Sequence, residues 1–358
     1  MSRNILTRLP ESLASPTGIL VGRSSRMTRQ IPINGVSHLR RWNSSGTTGG
    51  LLSNLARSTV HKVAISGFGE GTNDLYDRAR PSYPPDALHK IHQTISRFSG
   101  GERWKIIEPG SGTGIFTRLL LSPPPASNGG APSGYPNFPI DTLVSIEPSQ
   151  GMRKTWSNGL HSKIPQKALE GKTVQVVEGA FDDFHKVEEY GLKKGEVDGV
   201  VVAQAWHWCD DHEGALREIS SYLRPSAPLI LIWNLESRQP HWQGEIRDSY
   251  EPYDLGSPQY YKGLWRKMFE TQAYMELFEE KEEWITTWGT GISEDELIDR
   301  LFSKSYLTSA HLSPADREKL ETQIRGIVRD AQHDWVDKDK GIFQYKYDTD
   351  IVILRRKA

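Results

Sequence analysis

One cysteine, Cys209, stands in the whole 358-residue chain. That excludes an intrachain disulfide framework and a cysteine-based zinc site. No apolar run approaches the roughly 18 residues that a membrane-spanning helix needs, so no membrane span is expected. Neither sign of charge prevails, because 44 Lys and Arg face 45 Asp and Glu. A whole-surface nucleic-acid footprint is therefore not expected. Neither H-E-x-x-H nor G-x-S-x-G occurs. His207, Asp210 and His212 lie close in sequence but without ligand spacing, so no metal is expected. Tryptophan, by contrast, is plentiful. Its 11 copies suit core packing or the walls of a pocket.

Acid is what residues 1–69 lack. Glu11 stands alone against Arg3, Arg8, Arg23, Arg26, Arg29, Arg40, Arg41, Arg57 and Lys62. Ser, Thr and Gly are frequent there. This is the composition of a mitochondrial transit peptide, with residues 40–45 as a processing region, or of a basic tail without a targeting role. The expected location is the mitochondrion or the cytoplasm.

The rest of the chain is organised around residues 104–121, W-K-I-I-E-P-G-S-G-T-G-I-F-T-R-L-L-L. Trp104, Ile106 and Ile107 make the apolar run of a buried parallel strand, which Glu108 ends. Gly110, Gly112 and Gly114 form a tight turn, and Ile115, Phe116, Leu119, Leu120 and Leu121 follow with helical spacing. Glycines let a ligand approach the backbone, and the unpaired amides of the new helix face the same turn. A dinucleotide site wants G-x-G-x-x-G, but its third glycine position is Ile115 here. The Glu108 carboxylate suits a ligand ammonium and repels a pyrophosphate. An NAD-dependent oxidoreductase is thereby the weaker alternative.

Further strand–loop–helix units follow. Residues 142–146 read as a second strand ended by Glu147, an acid able to accept from both ribose hydroxyls. Residues 174–177, 197–203 and 229–233 read as strands three to five. The Pro- and Gly-rich segment 122–139 reads as a loose insertion. Together these units imply a doubly wound α/β parallel sheet. Residues 239–330 read as mostly helical, including a helix at 294–302 capped by Ser293. Residues 343–347 and 350–354 read as strands or a terminal hairpin. The expected organisation is a leader at 1–69, a core at 70–238, a helical cap at 239–330 and closing strands at 331–358.

Four strings carry a resemblance. E-x-G-x-G-x-G at 108–114 resembles motif I of the class I S-adenosylmethionine-dependent methyltransferases. Y-D-R-A-R-P-S-Y-P at 76–84 and Q-A-W-H-W at 204–208 resemble segments of their trans-aconitate-methyltransferase-like subgroup. The string L-F-S-K-S-Y at 301–306 is similar to a short element of that family. The resemblance spans residues 76–354. It implies a Rossmann-like seven-stranded sheet with an antiparallel last strand, and S-adenosyl-L-methionine as cofactor. It also implies that Glu108, Gly110, Ser111, Gly112 and Gly114 hold the methionine part, and Glu147 and Pro148 the ribose end. Asp182 or Asp183 would receive the adenine. Tyr76 and Arg80 would fold over the cofactor, with Gln204 and Ala205 near the transferred methyl.

A sulfonium methyl is already activated, so such an enzyme chiefly aligns its acceptor and excludes water. His207 is the candidate general base, or else a wall of the pocket. A carboxylate acceptor would need no base. Trp206, Trp208 and Trp233 are candidate acceptor contacts. The expected function is methylation of a small molecule at O, N or S. The other alternative is a cofactor-binding assembly protein without turnover. The oligomeric state is not legible.

Overall fold

The computed structural model describes residues 73–124 and 134–358. The expected leader, and the tip of the insertion at 122–139, lie outside those residues. Five parallel strands make the centre: β1 (Trp104–Pro109), β2 (Ile140–Ile146), β3 (Thr173–Val177), β4 (Gly199–Ala203) and β5 (Pro228–Glu236). They are completed by β6 (Glu282–Ile292), β7 (Trp335–Asp337) and β8 (Ile342–Arg355). The order is β3-β2-β1-β4-β5-β8-β6, with β7 paired to β8. β8 runs antiparallel to both β5 and β6. This is the expected Rossmann-like sheet with its antiparallel final strand.

Alternation along the strands splits the core into two layers. Ile106, Leu143, Val201 and Ile230 pack under α2 (Pro85–Phe98), α3 (Ile115–Leu121) and α4 (Gln150–Lys163). Their neighbours Ile107, Val144, Val200 and Leu229 pack on the other face, against α6 (His212–Tyr222). The short α5 (Gln166–Leu169) links α4 to β3. Both faces are covered, which is why these strands are apolar without a polar side. A third cluster joins α7 (His241–Tyr250), α9 (Glu294–Phe302) and α10 (Pro314–Asp330) to Phe343, Tyr345 and Tyr347 of β8. Ser293 caps α9 with the reciprocal Glu296 bond of a capping box. Among the described residues, no helix is long and apolar enough to cross a membrane.

The helical reading of 239–330 needs correction. β6 lies inside it and supplies the outer edge of the sheet. Its sequence W-I-T-T-W-G-T-G-I is β-branched and aromatic with period two, so Trp284, Thr286 and Trp288 are half-buried while Ile285 and Thr287 are exposed. Three 3₁₀ turns, Glu251–Tyr253, Tyr260–Lys262 and Leu264–Glu270, precede α8 (Gln272–Leu277) and are separated by Pro258 and the left-handed Gly256 and Gly263. Two further expectations shift. Residues 343–347 and 350–354 belong to one continuous strand, β8, whose hairpin partner is the short β7. That addition makes eight strands rather than seven among the described residues. The insertion has no regular structure where described, yet its end anchors in the core through Phe138, which edges against Trp104.

Gly114, expected to hold the cofactor, instead fixes the start of α3. Its φ is +82°, and an added Cβ would lie 2.5 Å from the Trp156 ring. Gly114→Ala should lower unfolding free energy by about 2–5 kcal/mol, adding left-handed strain to overpacking. Gly171→Ala, at φ +66° with open space around it, should cost only the strain, about 1–2 kcal/mol. Denaturant unfolding of both variants checks this. Equal losses would show that the contact with Trp156 contributes nothing.

Candidate active site

The strand order reverses between β1 and β4, and the carboxyl ends of those strands open into a cavity of 370 Å³. The glycine turn makes its floor. Gly110 N donates to Ile146 O at 2.7 Å, drawing the turn against β2. Gly112 N donates to Glu147 Oε2 at 2.9 Å, and Ser149 N to Glu147 Oε1 at 2.9 Å. Each oxygen of Glu147 is thus oriented by one backbone amide and keeps capacity for another donor. Burial raises the pKa of its carboxyl, and those amides oppose the rise. Pro148 follows in the wall.

Glu108 is fully buried at the end of β1. Its Oε2 accepts from the hydroxyls of Thr117 and of Ser145, the latter at 3.0 Å. Trp156 Nε1 in turn donates to the Thr117 hydroxyl at 2.9 Å. Oε1 of Glu108 has no partner, and the residue lines the cavity. Burial pushes its carboxyl up to about 8, although Thr117 and Ser145 pull the other way. Ser111 Oγ, in another lining residue, is likewise buried without a partner. Buried polar atoms are nearly always satisfied, so two orphans around one cavity mark the place of a polar ligand. A ligand ammonium fits Glu108 Oε1; a diphosphate would meet a carboxylate there. At Gly112 an added Cβ would meet nothing nearer than 4.0 Å, so it would intrude on the cavity instead of the protein.

The far wall comes from the loops after β3 and β4. Gln204 adopts φ +55°, and its Nε2 donates to Asn234 O at 2.6 Å. Ala205 sits against the turn, where a Cβ on Gly110 would lie 2.5 Å from its own. Both line the cavity, with Trp208, Tyr76 and Arg80. The Arg80 guanidinium lies 4.5 Å from the Tyr76 ring centroid, and its Nη2 donates to Ser303 O at 3.1 Å. Those two residues follow from α1 (Asn73–Ala79), which Asp77 fastens to Arg118 at 2.6 Å and to Lys163.

Four expectations are corrected. The wall after β3 consists of Gly179, Ala180 and Phe181; Asp182 is not part of it, and Asp183 pairs with His185 outside. Trp206 is fully buried among Phe181 and His212 and lines neither cavity. Trp233 is equally buried, between Tyr260 and Trp265 with ring centroids 4.8 and 4.7 Å away. Both indoles join the core on the α6 side of the sheet, Trp233 by the period-two alternation of β5 and Trp206 from the 3₁₀ turn after β4. Finally, Trp233 Nε1 donates to His207 Nδ1 at 3.2 Å. An indole can only donate, so Nδ1 is the acceptor and neutral His207 carries its proton on Nε2. Burial, with the Arg80 charge behind it, holds His207 down at about 3. Such an imidazole is a poor base at neutral pH.

A second, smaller cavity of 70 Å³ shares Tyr76, Arg80, Gln204 and Trp208 with the first. His207 is part of its wall, together with Glu236, Arg300, Lys304, Tyr260 and Tyr306. The sequence reading named His207 and the four shared residues, and Lys304 and Tyr306 within the string at 301–306, but gave no site role to Glu236 or Arg300. Arg300 and Lys304 stand one turn apart at the end of α9, a spacing that was legible there.

A family profile described as a methyltransferase domain matches residues 107–231. An uncharacterized methyltransferase of Mycobacterium bovis is 27% identical over 282 residues, 77% of this chain and 90% of its own length. An uncharacterized methyltransferase of Schizosaccharomyces pombe is 23% identical over 254 residues, 71% of this chain and 84% of its own. The solved YcgJ protein of Bacillus subtilis aligns over 75% of this chain and 99% of its own, with 14% identity and a TM-score of 0.41.

The chain carries a class I S-adenosylmethionine-dependent methyltransferase domain. Its cofactor is S-adenosyl-L-methionine. The matched residues run from the strand that ends in Glu108 to β5, and so include the glycine turn, Glu147 and the Gln204 loop. Without a cation beside it, burial holds the Glu108 carboxyl up at about 8. A cation placed against it lowers that value, so binding an ammonium releases a proton. Affinity for S-adenosylhomocysteine should therefore rise between pH 6 and 7.5, by up to about tenfold per unit. Glu108→Gln should bind more weakly and lose this dependence. Calorimetry in buffers of different ionisation enthalpy reads both effects. A pH-independent wild type would show that Glu108 does not meet the ammonium.

Proposed function

We propose that this methyltransferase methylates a small molecule held in the second cavity, at an oxygen that is already ionised: a carboxylate. The observation that carries the reading is the junction of the two cavities at Tyr76, Arg80, Gln204 and Trp208. In this reading Glu108 receives the ammonium of the cofactor, the amides and hydroxyls of residues 110–113 its carboxylate end, and Glu147 its ribose. Residues 70–238 form the cofactor-binding core, and residues 239–330 cover the acceptor. When bound, the cofactor supplies a methyl on a positively charged sulfur, which a carboxylate oxygen displaces from the thioether to give a methyl ester with no proton left to remove. The protein then has three tasks. Arg80 and Gln204 orient the oxygen at the junction, Tyr76 and Trp208 exclude water, and the cationic lining keeps the acid ionised. No base is required, in keeping with a His207 whose Nδ1 is occupied.

Incubation with methyl-labelled cofactor and a panel of short carboxylic acids, phenols, amines and thiols tests this. The expected product is a base-labile ester from an acid. Label on amines, phenols or thiols alone would overturn the reading. His207→Gln should keep kcat within about tenfold and leave its pH profile unchanged, whereas loss of a general base costs about 10²–10⁴. We further propose that the Arg-rich residues 1–69 direct the protein to mitochondria. A fluorescent fusion of the whole chain should co-localise with mitochondria, and one lacking residues 1–45 should not. Identical distributions would leave that segment without a targeting role.

A further inference from the structure

The turn that carries Glu147 is held from behind. Glu147, Pro148 and Ser149 follow β2, and all three line the first cavity. The α4 helix starts at once, its Met152 N donating to the Ser149 hydroxyl at 3.3 Å. One turn into that helix stands Arg153, near the positive end of the helix dipole, where a cation is disfavoured. Compensating bonds are present. Arg153 Nη1 donates to Glu147 O and to Pro148 O, each at 2.7 Å, and Nη2 meets Glu178 Oε2 at 3.3 Å.

These bonds join two sides of one cavity. The carbonyls belong to the turn after β2. Glu178 follows β3 and directly precedes the wall of Gly179, Ala180 and Phe181. Arg153 itself does not line the cavity. The Glu178 side chain is 62% exposed against 19% for Arg153, so their pair adds little alone and the carbonyl bonds matter most. Nη1 carries two hydrogens, one for each carbonyl, and the planar guanidinium sets their direction. With its backbone fixed, Glu147 presents one oxygen to Gly112 N and the other to Ser149 N, each at 2.9 Å. The Arg153 charge also adds to those amides against the rise that burial imposes on the Glu147 carboxyl. That matters because a carboxylate accepts at both oxygens, whereas a protonated acid gives up an acceptor.

We infer that Arg153 is a positioning residue of the cofactor site, which holds the Glu147 carboxylate in place for the two ribose hydroxyls of S-adenosyl-L-methionine. The inference rests on the reading above that Glu147 receives the ribose. It places part of the discrimination for ribose in a side chain outside the cavity wall. The consequence is a coupling: loss of Arg153 weakens a ligand that offers ribose hydroxyls and spares one that lacks them.

The test measures binding of S-adenosylhomocysteine and of its 2′,3′-dideoxy analogue by calorimetry. The proteins are wild type, Glu147→Gln, Arg153→Met, Arg153→Lys and Glu178→Gln, each with its urea unfolding midpoint as the check on folding. Wild type should bind the ribose-bearing ligand about tenfold or more tightly, since each hydroxyl bonds a charged group. Glu147→Gln should erase most of that ratio. Arg153→Met should weaken S-adenosylhomocysteine by about five- to tenfold and change the dideoxy analogue by less than about twofold. Arg153→Lys should keep part of the ratio, and Glu178→Gln should stay within about twofold of wild type, as an exposed pair would. An Arg153→Met that weakens both ligands equally, and so keeps the wild-type ratio, overturns the inference while the ribose reading stands. A wild type indifferent to the hydroxyls overturns the ribose reading and the inference with it. If Arg153→Met does not fold, Arg153→Lys decides, and a ratio equal to that of wild type overturns the inference.

Discussion

The structure depends on one buried carboxylate that the protein only half satisfies. Glu108 ends the central strand under a turn of three left-handed glycines, with Thr117 and Ser145 holding one oxygen and nothing holding the other. Burial pushes it toward neutrality, and such a site costs stability unless a cation completes it. Its geometry constrains its surroundings. The turn must be glycine because Ala205 and Trp156 crowd two of its positions, and Glu147 must lie one strand away for its oxygen to receive the Gly112 amide.

From that point the sheet order does the rest. The reversal between β1 and β4 opens the cavity, and the loop after β4 runs from the first cavity to the second within Gln204–Trp208, with Tyr76 of α1 lining both. Balanced overall charge conceals a strongly local arrangement. The acids of the first cavity are Glu108 and Glu147; Arg247, Arg300 and Lys304 surround the single acid Glu236 in the second, and Arg80 borders both. The two cavities thus differ in the sign of most of their charged groups, and Arg80 stands at their border.

The central sheet was legible because parallel strands covered on both faces leave continuous apolar runs, and because the glycine turn and its flanking acid follow one of them. Helices with side-chain caps, such as α9 behind Ser293, were legible for the same local reason. What escaped the sequence was set by tertiary context. Two indoles of one short stretch, Trp206 and Trp208, differ in which side of the chain they occupy, and nothing local says which faces a cavity. Asp182 lost its expected place because the preceding Phe181 takes the wall position. β6 was hidden among turns, although its period-two pattern was readable. The cationic cluster brings β5 to α9 across 64 residues of chain from Glu236 to Arg300, a juxtaposition no spacing rule contains.

The central claim is that the cavity above Glu108 takes a sulfonium cofactor with its ammonium end down. The most direct measurement is a side-by-side calorimetric titration of the whole chain with S-adenosyl-L-methionine and with NAD. The account predicts saturable one-to-one binding of the first and no heat from the second. Binding of NAD, or silence toward both, would contradict it.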